Sequence, residues 1–290
     1  MYAQKGLWLF LVPSGLMISL VLLYPLGYAI YLSFFNYYLG GQVPPSFVGL
    51  GNYGELLQEP RFWSSLRTTV LIVAAAVGLE FALGLLVAFG LYKLSFGVKT
   101  FNLLLFLPHI VTPVVAALFL RWIFTSRWGL LDAIIIGFNV FPPDWLGSPG
   151  WARFTVVVAD AWKFTPFMIL VLYAGLNTVD HSQIESAQMD GAGNWTVLTR
   201  IMLPAIRPLI VFVLAIRTMD AFRFFDSIYV LTAGGPGTAT ETLTIYTYAL
   251  AFRLLEVGKA SALGVLTLLI SALAIAALIG VIYRRERGAF

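Results

Sequence analysis

The chain has no cysteine, which excludes a disulfide framework and every thiolate metal site. Its two histidines, His109 and His181, are too few and too isolated for a metal cluster, and both read as structural. Charge is scarce: 11% of the 290 residues are Asp, Glu, Lys or Arg, where soluble domains carry about 25%. No GxxxxGK[ST] phosphate loop occurs, so ATP hydrolysis is not expected of this chain itself. Nucleic-acid motifs, internal repeats and low-complexity tracts are absent as well. No nucleophile, metal cluster or acid pair forms the constellation that an integral-membrane enzyme needs.

Hydrophobic residues make up 60% of the chain, and the mean hydropathy is +0.88. The expected class is an all-α integral membrane protein, read as one transmembrane domain over residues 1–290. The formal charge of +4 and the pI near 9.3 are assigned to basic edges at the membrane, not to nucleic acid. Six apolar runs reach the ~20 residues that a tilted spanning helix needs, at about 7–34, 68–92, 101–124, 155–178, 209–232 and 259–283. The first is longer than a signal-peptide core and lacks a small-residue cleavage site, so it reads as an uncleaved span. Pro13 and Pro25 are expected to bend it, with Tyr24, Tyr28 and Tyr31 near the outer interface. The connector 36–66 is rich in Gly, Pro and aromatics, and predicts a short surface helix over Asn52–Leu57. Within the loop 125–154, GLLDAIIIGFNVFPPDWLG predicts a re-entrant or interfacial helix ended by Pro142 and Pro143.

An even number of spans leaves both termini on one side. Lys5, Lys93, Lys99, Arg200, Arg207, Arg284, Arg285 and Arg287 lie on that side, against Arg61, Arg67, Arg127, Arg153, Arg253 and Lys259 on the other. Short basic segments orient a chain most strongly, which places both termini and residues 179–206 in the cytoplasm.

Residues 179–206 form a polar island between two spans. Ile184, Ala187 and Met189, then Trp195, Leu198 and Ile201, predict two short amphipathic pieces. Gly191 and Gly193 are expected to supply the turn, and Pro204 to mark the start of the next apolar run. The string ESAQMDGAGNWTVLTRIMLP, with Glu185, Ser186, Ala187, Asp190, Gly191, Ile201, Leu203 and Pro204 at its defined positions, resembles the EAA loop of importer-type ABC permeases. In that family the loop is a cytoplasmic coupling helix seated in a cleft of the ATPase subunit. Ser186 stands where the family usually has alanine. The remainder fits the same family: YPLGYAIYLSF with FVGLGNY resembles the first of the two permease subunits in carbohydrate-uptake systems.

Besides His109, and Lys259 at the very start of the last span, eight ionisable residues fall within the expected spans: Glu80, Arg121, Asp160, Lys163, Arg217, Asp220, Arg223 and Asp226. Each would cost about 2.5–3.5 kcal/mol at a helix centre, so they must face protein, water or one another. Asp160 and Lys163 are spaced to pair along one helix. The series Arg217, Asp220, Arg223, Asp226 winds back by about 60° at each step, so one face cannot hold all four. Pro166 is expected to kink its helix, with Trp162, Phe164 and Phe167 beside it. Hydrogen-bonding groups next to aromatic faces suit a sugar; the other reading of the charges is that they staple helices together.

DAWKFTPFMIL resembles the segment of maltose-type permeases that lines the translocation path, which implies sugar contacts at Asp160, Lys163, Phe164 and Phe167. RTMDAFRFFDSIYVLTAGGPG is similar to the next span of that family, implying contacts at Arg217, Asp220, Ala221 and Phe224. RT-DAFR-FD and WK-TPFM also resemble trehalose-type permeases. The resemblance implies a type I ABC importer permease fold and the cytoplasmic membrane of a prokaryote. It further implies a second homologous permease, two ATPase subunits that bind the ATP and Mg, an extracytoplasmic substrate-binding protein, and no cofactor in this chain. The outer loops 125–154 and 234–241 would receive the binding protein. A neutral disaccharide such as trehalose or maltose is the expected cargo; the alternatives are a glycerol-3-phosphate-type substrate or a proton-coupled secondary carrier.

Overall fold

The computed structural model describes residues 11–41, 44–94 and 96–287, with side chains through residue 282. Lys5, the first residues of the expected opening span, and the side chains of Arg284, Arg285 and Arg287 therefore lie outside the described part. Two compact units emerge from the chain contacts, one from Met1–Ser64 with Leu243–Ile270 and one from Ser65–Thr242 with Ser271–Phe290.

In the first unit, α1 (Leu11–Leu32) is an apolar helix with no buried residue in its most hydropathic window. A two-residue hairpin, β1 (Phe35–Asn36) against β2 (Ser46–Phe47), follows it. Asn52, on the surface helix α2 (Gly51–Gln58), donates to the carbonyls of Ser33 and Phe35 at 2.8 and 2.9 Å, which satisfies the backbone where α1 ends. The helix α3 (Pro60–Tyr92) begins here, eight residues ahead of the expected start at 68, because Pro60 at its first position needs no N–H partner. Glu59, just before it, accepts from Tyr246 Oη and Lys259 Nζ; these stand on α12 (Leu243–Tyr248) and on α13 (Val257–Arg287).

The second unit carries the long apolar helices and departs from the expected pattern at its breaks. The expected third span is two helices, α4 (Val98–Ile110) and α5 (Pro113–Ile123), crossing at 92°. Thr112 is extended, as a residue before proline prefers, and Pro113 has no N–H to continue the ladder. The expected interfacial helix is α6 (Leu130–Gly137), and it stops before Pro142. Asn139 takes a left-handed conformation (φ +57°) that ends the helix earlier, leaving the two prolines in the following loop. The next helix, α7 (Pro149–Leu176), runs without interruption through Pro166.

After α8 (His181–Met189) and α9 (Asn194–Ala205, with a π-helical turn at Leu198–Met202), the chain turns 76° into α10 (Arg207–Phe222). The turn falls at Ile206 ahead of Pro208, not at Pro204, which stays helical. A second break at Arg223–Phe225 separates α10 from α11 (Asp226–Thr232), so the expected fifth span is also in two pieces. Among the described residues four helices are long and apolar enough to cross a membrane, or up to six if each of the two bent pairs counts as one span. The chain is a multi-pass membrane protein.

The unit's core joins these parts. Ala88 and Leu91 of α3, Met168, Ile169, Leu172 and Leu176 of α7, Ile184 of α8, Val197, Leu198 and Met202 of α9, and Val213 of α10 pack as one buried cluster. Gly84 lets α3 approach α7: a Cβ there would stand 2.6 Å from Met168 Cγ.

Candidate functional site

Three helices bring their charges to one point. Glu80 of α3, Asp160 of α7 and Arg217 of α10 are each at most 1% exposed. Arg217 donates from Nε and Nη2 to the two oxygens of Glu80 at 2.7 and 2.9 Å, a bidentate pair, and Nη2 also reaches Asp160 Oδ2 at 3.1 Å. Asp220, one turn further along α10 and 44% exposed, stands 3.9 Å from Arg217 Nη1. The guanidinium carbon lies 3.8 Å from the centroid of the Phe164 ring, a cation–π contact in a dry setting. Among the described residues Asp160 Oδ1 and Arg217 Nη1, and Thr165 Oγ1 further along α7, are buried without a hydrogen-bond partner.

Lys163 does not pair with Asp160. Its ammonium, on a residue 5% exposed, donates to the carbonyls of Val111 and of His109 (3.4 Å), where α4 ends. In return the His109 ring nitrogen Nδ1 lies 3.3 Å from the Lys163 carbonyl. His109 stacks on Phe167 (centroids 5.8 Å, 17°) and meets Phe164 edge-on at 5.5 Å. Phe164, Phe167 and Phe224 are half-buried, while Ala221 is buried. A patch with aromatic walls, one accessible carboxylate and a buried ionic floor can hold a polyhydroxylated ring by stacking and hydrogen bonding.

The second cluster is the segment after α7. Asp180 caps α8, accepting from the Ser182 N–H at 2.9 Å, and that bond holds its carboxyl below the usual range. Ile184 points into the core, whereas Glu185, Ser186, Met189, Asp190 and Gly191 are exposed and Ala187 is half-buried. Gly191 has φ +84°, the left-handed value that ends α8; Gly193, at φ −70°, makes no such demand. Of the apolar residues that mark the two amphipathic pieces, Met189 is 89% and Trp195 72% exposed. Val197, Leu198 and Met202 fill the core instead. Ile201 and Leu203 are half-buried and Pro204 is exposed.

Residues 81–287 match the family described as binding-protein-dependent transport system inner membrane component. The chain belongs to that family. The permease is 37% identical over 269 residues (91% of this chain, 84% of the relative) to the trehalose transport system permease protein SugA of Mycobacterium tuberculosis. It is 38% identical over 221 residues (76% and 75%) to the trehalose/maltose transport system permease protein MalF of Thermococcus litoralis. With the sulfoquinovosyl glycerol transport system permease protein SmoG of Agrobacterium fabrum it shares 34% over 264 residues (91% and 85%). Its fold is similar to a chain of a bacterial ABC transporter involved in the import of the acidic polysaccharide alginate, with TM-score 0.83 at 22% identity, covering 98% and 96% of the two chains. The permease is thus a transport subunit and not an enzyme.

Of the residues that resemblance marked for sugar contact, the permease brings Asp160, Lys163, Phe164, Phe167, Arg217 and Asp220 into one network. Phe224 and Ala221 lie next to it along the chain, at the end of α10. Arg223 and Asp226 stand exposed at the break after α10, and Arg121 donates to the Val230 carbonyl at 2.9 Å. Sequence spacing ranked the pairs within one helix first and so missed Glu80. Its only signal was an isolated carboxylate deep in an apolar run, which demands a cation from another helix.

Proposed function

We propose that this permease is the membrane-spanning subunit of an ATP-driven importer for a neutral sugar, moving it into the cytoplasm of a prokaryote by alternating access. The observation that carries this reading is the exposed strip Glu185, Ser186, Met189, Asp190 and Gly191, held at the surface by a segment whose other face is locked into the core of α3 and α7. A short helix anchored on one side and bare on the other is built to transmit force from a partner. Two ATPase subunits that bind ATP and Mg would seat this strip, together with Ala187, Ile201, Leu203 and Pro204. The reading includes six spans with both termini in the cytoplasm, each bent pair acting as one crossing. A second homologous permease would cover part of the surface of α1, and a substrate-binding protein would deliver sugar from outside.

The sugar is assigned to the partly open Phe164, Phe167, Phe224 and Asp220, backed by Ala221 and by the buried Asp160, Lys163 and Arg217. With Glu80, which pairs with Arg217, the network holds three carboxylates against two cations, and the ammonium of Lys163 is already engaged by carbonyls, which favours a neutral glycan over an anionic one. Relatives named for trehalose, maltose and lactose transport support a disaccharide; the relative named for sulfoquinovosyl glycerol keeps the identity of the glycan a question for assay.

The test is radiolabelled uptake by the reconstituted complex, with trehalose or maltose against glycerol 3-phosphate. Asp220→Ala is expected to lower disaccharide uptake about tenfold, one charge-assisted hydrogen bond, while the ATPase stays bound. Glu185→Lys is expected to release or uncouple the ATPase. Uptake that persists without the ATPase and stops when the proton gradient collapses would replace this reading with a secondary carrier.

A further inference from the structure

We infer that Lys163 is the positioning residue of the bend between α4 and α5 and does not itself touch the transported molecule. In a continuous helix the His109 carbonyl would accept from the N–H of residue 113, but Pro113 has none. The Val111 carbonyl is likewise cut off, since Val111 and Thr112 are both extended (ψ 133° and 146°). Both groups are part-buried in an apolar stretch expected to span the membrane, where lipid offers no donor to an unmet carbonyl. The Lys163 ammonium answers both from the facing helix α7, spending two of its three donors there. Among the described residues it makes no ion pair, because the nearby carboxylate of Asp160 is turned to Arg217.

The link runs in both directions. The His109 ring nitrogen faces the Lys163 carbonyl at 3.3 Å, and a carbonyl can only accept, so Nδ1 carries the proton. The same ring is packed by Phe167 on its face and Phe164 at its edge, the two aromatic residues assigned above to the sugar. A displacement of α7 therefore moves the bend, and α5 leaves that bend at 92° to α4. Lys163 acts as the pin that keeps the two halves of the broken helix in register with α7.

A chain without cysteine lets spin labels be placed at will. Leu103→Cys on α4 and Phe119→Cys on α5, both exposed, report the distance across the bend in the assembled transporter. Lys163→Met is expected to broaden that distribution, and Lys163→Gln, which keeps N–H donors without the charge, to restore most of it. An unchanged distribution in Lys163→Met overturns the assignment. Should that variant fail to assemble, His109→Phe removes only the return bond and keeps the ring stacking; it is expected to broaden the same distance less, and no change there is equally fatal.

The transport readout rests on the sugar-importer reading. Lys163→Met should lower the maximal rate about tenfold at unchanged KM, the loss of one charge-assisted bond of ordinary strength, with partial rescue in Lys163→Gln. A raised KM with a narrow distance distribution would instead make Lys163 a sugar contact. Failure of the parent complex to carry any sugar would remove the importer reading and leave the distance measurement as the test of the pin.

Discussion

Removing the cation from the buried trio is the sharpest perturbation this fold offers. Arg217→Met leaves Glu80 and Asp160, both at most 1% exposed, facing each other with no positive charge between them. Breaking a buried ion pair by deleting one partner costs about 3–5 kcal/mol, because the survivor stays dry and uncompensated. Here there are two survivors, so the cost is expected at the upper end of that range. Glu80→Gln keeps the shape and leaves Arg217 paired with Asp160 and, at 3.9 Å, with the half-exposed Asp220. It sacrifices the charge behind the 2.7 and 2.9 Å bonds, and a loss of about 1.5–3 kcal/mol follows. Asp160→Asn weakens a single 3.1 Å bond and should cost least of the three. The combined Glu80→Leu, Asp160→Leu, Arg217→Met variant removes every buried charge of the trio and should recover most of the stability lost in Arg217→Met. The assay is unfolding in mixed detergent micelles, followed by near-UV circular dichroism. A loss below about 1 kcal/mol in Arg217→Met would refute the reasoning, since a dry carboxylate pair cannot be that cheap. Failure of the triple variant to recover would show that shape, not charge, holds the three helices.

Gly191→Ala is expected to uncouple ATP hydrolysis from uptake through backbone strain of about 1–2 kcal/mol at φ +84°, since nothing lies within 4 Å of the added carbon. Gly193→Ala, at an ordinary φ and equally open, should be silent in the same ATPase assay. Asp132 accepts from Trp145 Nε1 at 2.7 Å and from the Arg127 N–H at 2.5 Å, so Asp132→Ala should cost about 1–3 kcal/mol for each stranded donor, read by the thermal midpoint and tryptophan emission. For Glu59, burial raises the carboxyl, but the hydrogen bonds from Lys259 and Tyr246 outweigh it and hold the group below its ordinary 4.5. A lowered folded value means that its stabilisation is present above the ordinary glutamate range and is lost as pH falls through the lowered value. Glu59→Gln should therefore flatten the acid limb of the stability profile.

Much of this was legible in the residues. Apolar runs located the long helices of the structure to within several residues, because a bilayer leaves a spanning backbone no choice but to bond to itself. The surface helix expected at Asn52–Leu57 is Gly51–Gln58, and the polar island with its glycine turn is two short helices around Gly191. The charged positions were legible as a group, but their partners were not. Spacing along one helix offers Asp160 to Lys163 and Arg217 to Asp220, while the fold gives Arg217 to Glu80, a partner 137 residues away, and Lys163 to two carbonyls. An i,i+3 pair at 3.9 Å on a half-exposed helix face cannot compete with a bidentate pair at 2.7 and 2.9 Å in a dry interior.

The breaks show why local rules stop short. Pro108, Pro113, Pro166 and Pro208 all lie in or beside apolar helices, and each deletes one backbone donor. The helix continues through Pro108 and Pro166, yet the chain turns by 92° at Pro113 and by 76° just before Pro208. The residue before proline is steered away from the helical region, and Thr112 obeys, but Leu107 and Thr165 remain helical. Proline therefore proposes a break, and the surroundings decide it. At Pro113 a cationic donor from α7 stands ready for the carbonyls that a bend would strand, so bending there leaves no unmet acceptor at His109 or Val111. That donor is a residue fifty positions further along the chain, and no window of sequence around Pro113 contains it.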